Sequence, residues 1–175
     1  MRIQTKRLLI RPITLDEAPV VAHLITEKIS RWTSPIPWPY TLADAEGWMR
    51  TTEPSKRLGI YLLPDQILIG STSLPTANGD ESGFWINDRY EGKGYATEAA
   101  SAVVSYAFSN NGLDFLDSGV HRDNLGSKCV HEKLGFTVIA EKQRLWPNKN
   151  AMMPVLIYRL YRSGWQSWRS PPNAV

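Results

Sequence analysis

Residues 83–98, which read GFWINDRYEGKGYATE, carry the strongest structural information in the chain. The first five residues are rich in strand formers, and the residues after Gly94 have the apolar spacing of a helix. Gly92 and Gly94 stand between them in a short loop that opens the helix. Glycine lets the backbone come close to a ligand, and a helix N-terminus offers unpaired N–H groups at the positive end of its dipole. This order of strand, loop and helix predicts an anion site, typically one for phosphate.

Two familiar phosphate-binding motifs do not fit this loop. The P-loop requires Ser or Thr after its Gly-Lys pair, where this chain has Gly94. The dinucleotide fingerprint requires a third glycine where this chain has Thr97. Because a lone G-x-G also occurs in ordinary turns, the pattern alone leaves a plain turn open as the alternative.

The rest of the chain predicts a mixed α/β domain. Residues 31–40 contain three prolines, which exclude regular structure there. Strand–helix–strand runs near the middle favour locally parallel strands, with antiparallel hairpins at the edge. Helices are predicted over residues 14–27, 41–52, 94–109 and 124–134. Strands are predicted over residues 6–12, 58–63, 67–74, 83–87, 113–120, 136–141 and 155–161.

Length and composition limit what the chain can be. With 175 residues it has the size of one domain, predicted over residues 1–162, followed by a C-terminal tail over residues 163–175. A hydrophobic content of 42% excludes a wholly disordered chain. The single cysteine, Cys129, excludes an intrachain disulfide and a Cys-based zinc site, and the three histidines show no metal-binding spacing.

Charge and hydropathy predict a cytoplasmic protein. A net charge of +3 is too small to indicate nucleic-acid binding. No run of roughly 18 apolar residues predicts a membrane span, and the N-terminus lacks the apolar region of a signal peptide. We therefore expect neither nucleic acid nor membrane as a partner.

Four parts of the chain, in order, resemble the GNAT acetyltransferases. Arg89-x-x-Gly92-x-Gly94 resembles their acetyl-coenzyme A signature, Q/R-x-x-G-x-G/A. The run GKGYATEA at 92–99 looks like the version in the RimJ/RimL subgroup, which modifies protein N-termini. Asn124-x-x-Ser127, followed by EKLGF at 132–136, is similar to the second signature of that subgroup. The start TKRLLIRP at 5–12 and the pair at 69–70 are also similar, so the resemblance spans residues 5–161.

The resemblance implies a particular fold. It is a central mixed, mostly antiparallel sheet of six to seven strands, flanked by about four helices. The fourth and fifth strands, here residues 83–87 and 113–120, form a splayed parallel pair. The resemblance also implies that acetyl-coenzyme A is the cofactor and that its pantetheine arm lies in the gap between these two strands.

Roles for individual residues follow from the resemblance as well. Asn124 would bind the pantetheine amides, and Ser127 would contact the cofactor and protonate the departing thiolate. Ile86 would offer a backbone N–H to the oxyanion. The remaining cofactor contacts would come from Phe84, Trp85, Arg89, Tyr90, Glu91, Gly92, Lys93, Gly94, Tyr95, Ala96 and Thr97. His121, which closes a predicted strand near the gap, is a further candidate.

The general base and the acceptor site are less well defined. Members of the subgroup often place Glu in the loop after the penultimate strand, but residues 143–148 read QRLWPN and contain no carboxylate. Glu141 lies five residues before Trp146 and would point elsewhere. Four aromatic residues fall in segments that frame the acceptor cleft of this family, which predicts an aromatic, proline-stiffened wall. They are Trp32, Trp38, Tyr40 and Trp146.

The resemblance implies direct attack of an amine on the thioester, with both substrates bound. The acceptor we expect is a protein or peptide N-terminal α-amine. One alternative is acetylation of a small amine such as an aminoglycoside, a polyamine or an amino acid. The other is a non-catalytic module that senses acyl-coenzyme A. A homodimer and the acyl chain length of the donor are left open.

Overall fold

Two sheets, both antiparallel, form the frame of the molecule, for which a computed structural model describes residues 1–146 and 149–169. The first sheet has the order β1-β2-β3-β4-β5 and the second the order β6-β8-β7. The predicted six to seven strands are thus eight among the described residues, and the predicted single sheet is divided. The strands are β1 (Ile3–Gln4), β2 (Leu8–Pro12), β3 (Leu58–Leu62), β4 (Ile67–Thr72), β5 (Phe84–Ile86), β6 (Phe115–His121), β7 (Thr137–Trp146) and β8 (Ala151–Tyr161).

The helices include the four that were predicted, with two additions. They are α1 (Ala18–Leu24), α2 (Glu27–Trp32), α3 (Leu42–Thr51), α4 (Tyr95–Asn110), α5 (Leu125–Lys133) and α6 (Arg162–Arg169). Short 3₁₀ turns cover Leu15–Glu17, Pro54–Lys56 and Asp88–Tyr90. Within the part of the chain that the structure describes, no helix has both the length and the apolar character needed to cross a bilayer.

The predicted helix over 14–27 is in fact a 3₁₀ turn followed by α1, with α2 beginning directly afterwards. Thr14 and Glu17 form a capping box ahead of α1, and Pro19 lies in the first turn of α1, where its missing N–H costs nothing. The Thr26 hydroxyl accepts the N–H of Ile29 at 3.3 Å and so starts α2. As a result Trp32 lies at the end of a helix, although a loop was predicted there.

The core lies on both faces of the first sheet. Successive residues of a strand point to opposite faces. Leu8 and Ile10 of β2 accordingly pack in the cluster that contains Val103 of α4, while Leu9 packs in the cluster that contains Val21 of α1. The helices on the two faces fix the position of β5, the edge strand that was predicted to hold the cofactor.

The β7–β8 hairpin is longer than the sequence predicted. The last strand was predicted to begin at Val155, yet Pro154, which precedes it, pairs with Gln143 inside the hairpin. Proline is tolerated there because the pairing between β6 and β8 ends at His121 and Val155. Before Val155, the side of β8 that faces β6 is therefore a sheet edge. The longer strand carries Trp146 onto the sheet rather than into a loop.

The predicted tail begins with a helix that packs on the domain. Residues 162–169 form α6, and Trp165 is only 3% exposed within the main core cluster. The stretch predicted as a tail from residue 163 is therefore helical up to residue 169, and burial of this indole holds the helix against the domain. Trp168 lies in α6, and residues 170–175 lie outside the described residues.

Candidate active site

The loop after β5 has the geometry that the sequence predicted. Asn87 accepts the N–H of Arg89 at 3.2 Å and turns the chain out of the strand. Gly92 and Gly94 have φ angles of 72° and 79°, a region that favours glycine. Gly94 is the N-cap residue of α4, so the unpaired N–H groups of the first helical turn open toward this loop.

The segment directly before β5 contacts β6, and the two strands diverge beyond that contact. Glu81 forms an isolated parallel bridge with Asp117, and the Ser82 N–H donates to the Asp117 carbonyl at 2.9 Å. Beyond this bridge the two strands belong to different sheets. The splay that the resemblance implied is therefore present, and it opens a gap between the sheets.

A cavity of about 530 Å³ fills the gap beside the glycine loop, and we call it the cofactor cavity. Most of the predicted cofactor residues line it. Those are Phe84, Trp85, Ile86, Tyr90, Glu91, Gly92, Gly94, Tyr95, Ala96, Thr97, Asn124 and Ser127. Lys28 and Ile29 of α2 and Cys129 and Lys133 of α5 also line the cavity, and the sequence did not predict them.

The predicted residues Arg89 and Lys93 do not line this cavity. The Lys93 ammonium donates to the Arg89 carbonyl at 3.3 Å, and it lies 5.6 Å from the centre of the Tyr90 ring. Its side chain thus folds back along the loop. Lys93 therefore packs along the loop, and the backbone of Arg89 belongs to the turn.

Only alternate residues of β5 offer their backbone to the gap. The Asn87 N–H donates to the Ile69 carbonyl at 2.8 Å, so the ladder bonds to β4 involve the odd-numbered residues. Trp85 therefore directs its N–H and C=O at β4. Phe84 and Ile86 direct their N–H and C=O groups away from β4, toward the gap. The N–H of Ile86 is therefore available for its predicted role. The backbone of Trp85 is not available for the predicted contact with the cofactor.

The glycine loop is braced from the N-terminus of the chain, by a residue to which no role was assigned. Arg7 donates from Nη1 to the Lys93 carbonyl at 2.9 Å and from Nε to Glu98 at 2.6 Å. Glu98 also accepts from the Thr5 hydroxyl at 2.6 Å. Burial alone would raise the pKa of Glu98, but these hydrogen bonds lower it below its usual value. The carboxylate therefore stays ionised and holds the loop to β2.

Helix α2 closes over the loop from the other side. The Lys28 ammonium forms an ion pair with Glu91, and this hydrogen bond raises the pKa of Lys28. The Thr26 hydroxyl donates to Asp88 at 3.1 Å. Both contacts are exposed and contribute little stability by themselves. They place a cation at the mouth of the cofactor cavity, close to where phosphate was predicted.

Asn124 and Ser127 lie together at the start of α5. The Asn124 Oδ1 accepts the Ser127 N–H at 3.1 Å as the N-cap, so the amide nitrogen is the group that remains for a ligand. The Ser127 hydroxyl has a long contact of 3.5 Å with Nδ1 of His131. That nitrogen donates to the Ser127 carbonyl at 2.7 Å, so it cannot take a proton from the hydroxyl. The hydroxyl is consequently placed to donate elsewhere.

A second cavity of about 240 Å³ adjoins the first, and we call it the acceptor cavity. Both cavities are lined by the same five residues at their junction: Trp32, Thr33, Phe84, Asn124 and Ser127. The predicted acid, Ser127, thus stands where two separate ligands would meet. This arrangement suits transfer of a group between them.

The predicted aromatic wall is present in part. Trp32 and Trp146 both line the acceptor cavity, with His121 packed edge-on against them at ring-centre distances of 5.1 Å and 5.3 Å. Trp38 is 47% exposed and lines neither cavity. Tyr40 packs against the core cluster beneath α1 and α3, where burial raises its pKa to about 12. The structure therefore keeps two of the four predicted acceptor residues at the site.

A carboxylate that the sequence did not reveal lies in the acceptor cavity. Glu81 is brought there by its bridge to Asp117, and Arg144 of β7 donates to both of its oxygens, at 2.6 Å and 2.9 Å. Nothing in the irregular stretch before β5 indicated this, because the placement depends on contact with a distant strand. Glu141, the other candidate, pairs instead with Arg122 at 2.9 Å.

A sequence profile of the acetyltransferase (GNAT) domain matches residues 7–137. The chain belongs to the GNAT family of N-acetyltransferases. The uncharacterized N-acetyltransferase YnaD of Bacillus subtilis is 26% identical over 171 residues, which cover 94% of this chain and 99% of that protein. The probable N-acetyltransferase YjcK of the same organism is 37% identical over 100 residues, or 50% of this chain and 55% of the relative. Relatives named as N-acetyltransferases thus match half of the chain in one case and nearly all of it in the other.

Solved structures agree with this GNAT assignment. RimL, a ribosomal-protein α-N-acetyltransferase in complex with coenzyme A, superposes with a TM-score of 0.75. The alignment covers 92% of this chain and 98% of RimL, at 14% identity. At that identity the likeness shows the fold alone. The expected fold class is confirmed.

Proposed function

We propose that this GNAT enzyme transfers an acetyl group from acetyl-coenzyme A to the N-terminal α-amine of a protein or peptide. The observation that carries the proposal is the junction of two cavities at Ser127, between β5 and α5. One cavity opens on a loop suited to phosphate, and the other holds a carboxylate and an aromatic wall. A site of this kind can bind a donor and an acceptor at the same time.

The residues of the cofactor cavity fit coenzyme A. The loop N–H groups around Gly92 and Gly94 suit a pyrophosphate, and Lys28 adds a cation at the mouth. Asn124 offers an amide nitrogen to a pantetheine carbonyl. When bound, acetyl-coenzyme A would supply the activated thioester. Phe84 and Ile86 would then direct backbone N–H groups at the thioester oxygen and stabilise the developing oxyanion.

Proton transfer would involve Ser127 and Glu81. We assign the Ser127 hydroxyl as the donor to the departing thiolate, whose conjugate acid has a pKa of about 8.5 by analogy with cysteine. Glu81 is the carboxylate that can accept a proton from the attacking amine, directly or through a water molecule. A carboxylate from the segment before β5 would thus take the role of the base that residues 143–148 lack.

An α-amine suits this site better than a lysine side chain. An α-amine with a pKa of about 8 is roughly one-tenth neutral at pH 7, whereas a lysine amine with a pKa of about 10.4 is well under one-thousandth neutral. Both oxygens of Glu81 already accept hydrogen bonds from Arg144. An acceptor whose amine is already partly neutral at pH 7 is therefore favoured. The likeness to RimL supports the same class of acceptor, a protein α-amine.

The test is release of free thiol from acetyl-coenzyme A, assayed with peptide N-termini, amino acids, a polyamine and an aminoglycoside. We expect peptides with a free N-terminus to be acetylated fastest and their N-terminally blocked, lysine-containing counterparts to be slow. Faster reaction of the polyamine or the aminoglycoside would contradict the α-amine assignment. Tight cofactor binding without thiol release from any acceptor would instead indicate the sensing module.

A further inference from the structure

The acceptor cavity contains the ion pair of Arg144 and Glu81, in which Arg144 contacts the carboxylate through one of its nitrogens. Both contacts from Arg144 to Glu81 come from a single guanidinium nitrogen, Nη2. The guanidinium group has five N–H donors, so the rest of the fork can still bind an oxygen. The side chains are 41% and 32% exposed, so a ligand can reach both.

The floor of the cavity is shaped to receive this pair. A Cβ at Gly119 of β6 would lie 2.5 Å from Oε2 of Glu81 and 3.0 Å from Nη1 of Arg144. Any larger residue would push the two side chains away from β6. Glycine at this position therefore lets a carboxylate and a guanidinium lie side by side against the strand, inside the cavity.

The wall of the cavity adds further hydrogen-bond donors. Nδ1 of His121 accepts the Asp123 N–H at 3.1 Å, so the neutral ring carries its proton on Nε2. Burial lowers the pKa of His121, which favours that neutral form. Among the residues that the structure describes, neither this N–H nor the indole N–H of Trp146 has a hydrogen-bond partner, although the two residues are only 3% and 4% exposed. Buried donors without partners are costly, and a ligand oxygen would relieve that cost.

We propose that this cavity recognises an α-amino carbonyl unit, with the amine on Glu81 and the carbonyl oxygen of the same residue on Arg144. The proposal rests on the proposed function and specifies its acceptor. Peptide N-termini and amino-acid amides carry an amine and a carbonyl oxygen on neighbouring atoms, which matches the adjacent anion and cation. Polyamines and aminoglycosides have no carbonyl group beside the amine, and Arg144 repels their additional ammonium groups.

The experiment compares alaninamide with 2-aminobutane, an amine of similar skeleton that lacks the carbonyl group. KM is measured by thiol release and expressed per neutral amine, and Kd for alaninamide is measured by calorimetry in the presence of coenzyme A. In Arg144→Gln we expect KM and Kd for alaninamide to rise about tenfold. KM for 2-aminobutane should stay the same or fall, since a positive charge is removed.

Arg122→Gln is the matched control, because it removes an arginine of similar exposure that pairs with Glu141 and lines neither cavity. It should leave both acceptors unaffected. Equal effects of Arg144→Gln on the two amines, or no effect on either, would overturn the inference while thiol release still supports the proposed function. Arg144-dependent binding of alaninamide without any turnover would overturn the proposed function and uphold the subsite.

Discussion

At the scale of the residue, Ser127 and His131 of α5 differ in whether they can donate a proton to a ligand. The sequence alone does not show this difference. The Ser127 hydroxyl stands at the junction of the cavities, one helical turn before His131. His131 is 4% exposed, and burial lowers its pKa, so the ring is neutral. Because a carbonyl can only accept, Nδ1 of His131 keeps its proton for the Ser127 carbonyl. His131 therefore supports the first turn of α5, and the Ser127 hydroxyl remains available as the proton donor that we propose.

Ser127→Ala should lower kcat by about 10²-fold, because the departing thiolate loses its proton donor. The KM for acetyl-coenzyme A should change little. Ser105→Ala is the control, since Ser105 lies on α4, where its hydroxyl donates to the Ser101 carbonyl at 2.7 Å. Steady-state thiol release measures both variants. An unchanged kcat in Ser127→Ala removes this residue from the mechanism.

Glu81→Gln should lower kcat/KM for an N-terminal peptide by about 10²-fold at pH 7, because the amide cannot accept a proton. The deficit should shrink at high pH, where more of the amine is already neutral. Glu141→Gln removes a carboxylate that lies on β7 and pairs with Arg122, and it should leave the pH–rate profile unaltered. If the two variants have the same profile, Glu81 is not the base.

At the scale of the element, β5 is short and depends on a close approach by β4. It has three residues, and Gly70 of β4 pairs with Ile86. A Cβ at Gly70 would collide with the Trp85 carbonyl and would lie 2.8 Å from Cδ1 of Ile86. The absence of a side chain at Gly70 thus sets where the N–H groups of Phe84 and Ile86 stand.

Gly70→Ala should destabilise the protein by about 1–3 kcal/mol and should also lower kcat, because β5 must move away from β4. Gly47→Ala, in the exposed part of α3 where a Cβ meets no atom within 4 Å, should be neutral or stabilising by up to about 1 kcal/mol. Urea unfolding and thiol release are measured on both variants. A Gly70→Ala protein with native stability and activity would show that β5 tolerates the displacement.

At the scale of the whole molecule, one cluster joins the two sheets and the C-terminal helix. It includes Ile86 of β5, Val103 of α4, Leu116 of β6, Leu160 of β8 and Trp165 of α6. The gap between β5 and β6 is therefore held open by a core that continues behind it. Helix α6 is part of that core, although the sequence predicted that its residues from 163 onwards belong to a tail.

Trp165→Ala should lower the stability by about 3–5 kcal/mol, because it removes a large buried side chain from the main cluster. In a protein of this size that loss lowers the Tm by roughly 6–20 °C. Trp38→Ala removes an indole that is 47% exposed and should cost much less. Thermal unfolding of the two variants compares them directly. Equal shifts in Tm would mean that α6 is not an integral part of the core.

Local features of the chain were predictable from sequence. The glycine loop, the start of α4 and the Asn124 cap depend on residues close together in sequence, so their patterns were readable. Elements ruled by distant contacts were not. The extension of β7 to Trp146 depends on where β6 ends, and the helix that contains Trp165 depends on a core built by other segments.

The sequence by itself determined the GNAT family, the loop suited to phosphate, and the pair Asn124 and Ser127 at the start of α5, because short-range patterns encode these features. Only the tertiary structure decided which side chains lie together in the acceptor cavity. Glu81 and Arg144 are far apart in the chain, and they come together because the segment before β5 bridges to β6 and because Gly119 leaves room beneath them. No local sequence pattern predicts this contact, because Glu81 and Arg144 each have the sequence surroundings of an ordinary charged surface residue.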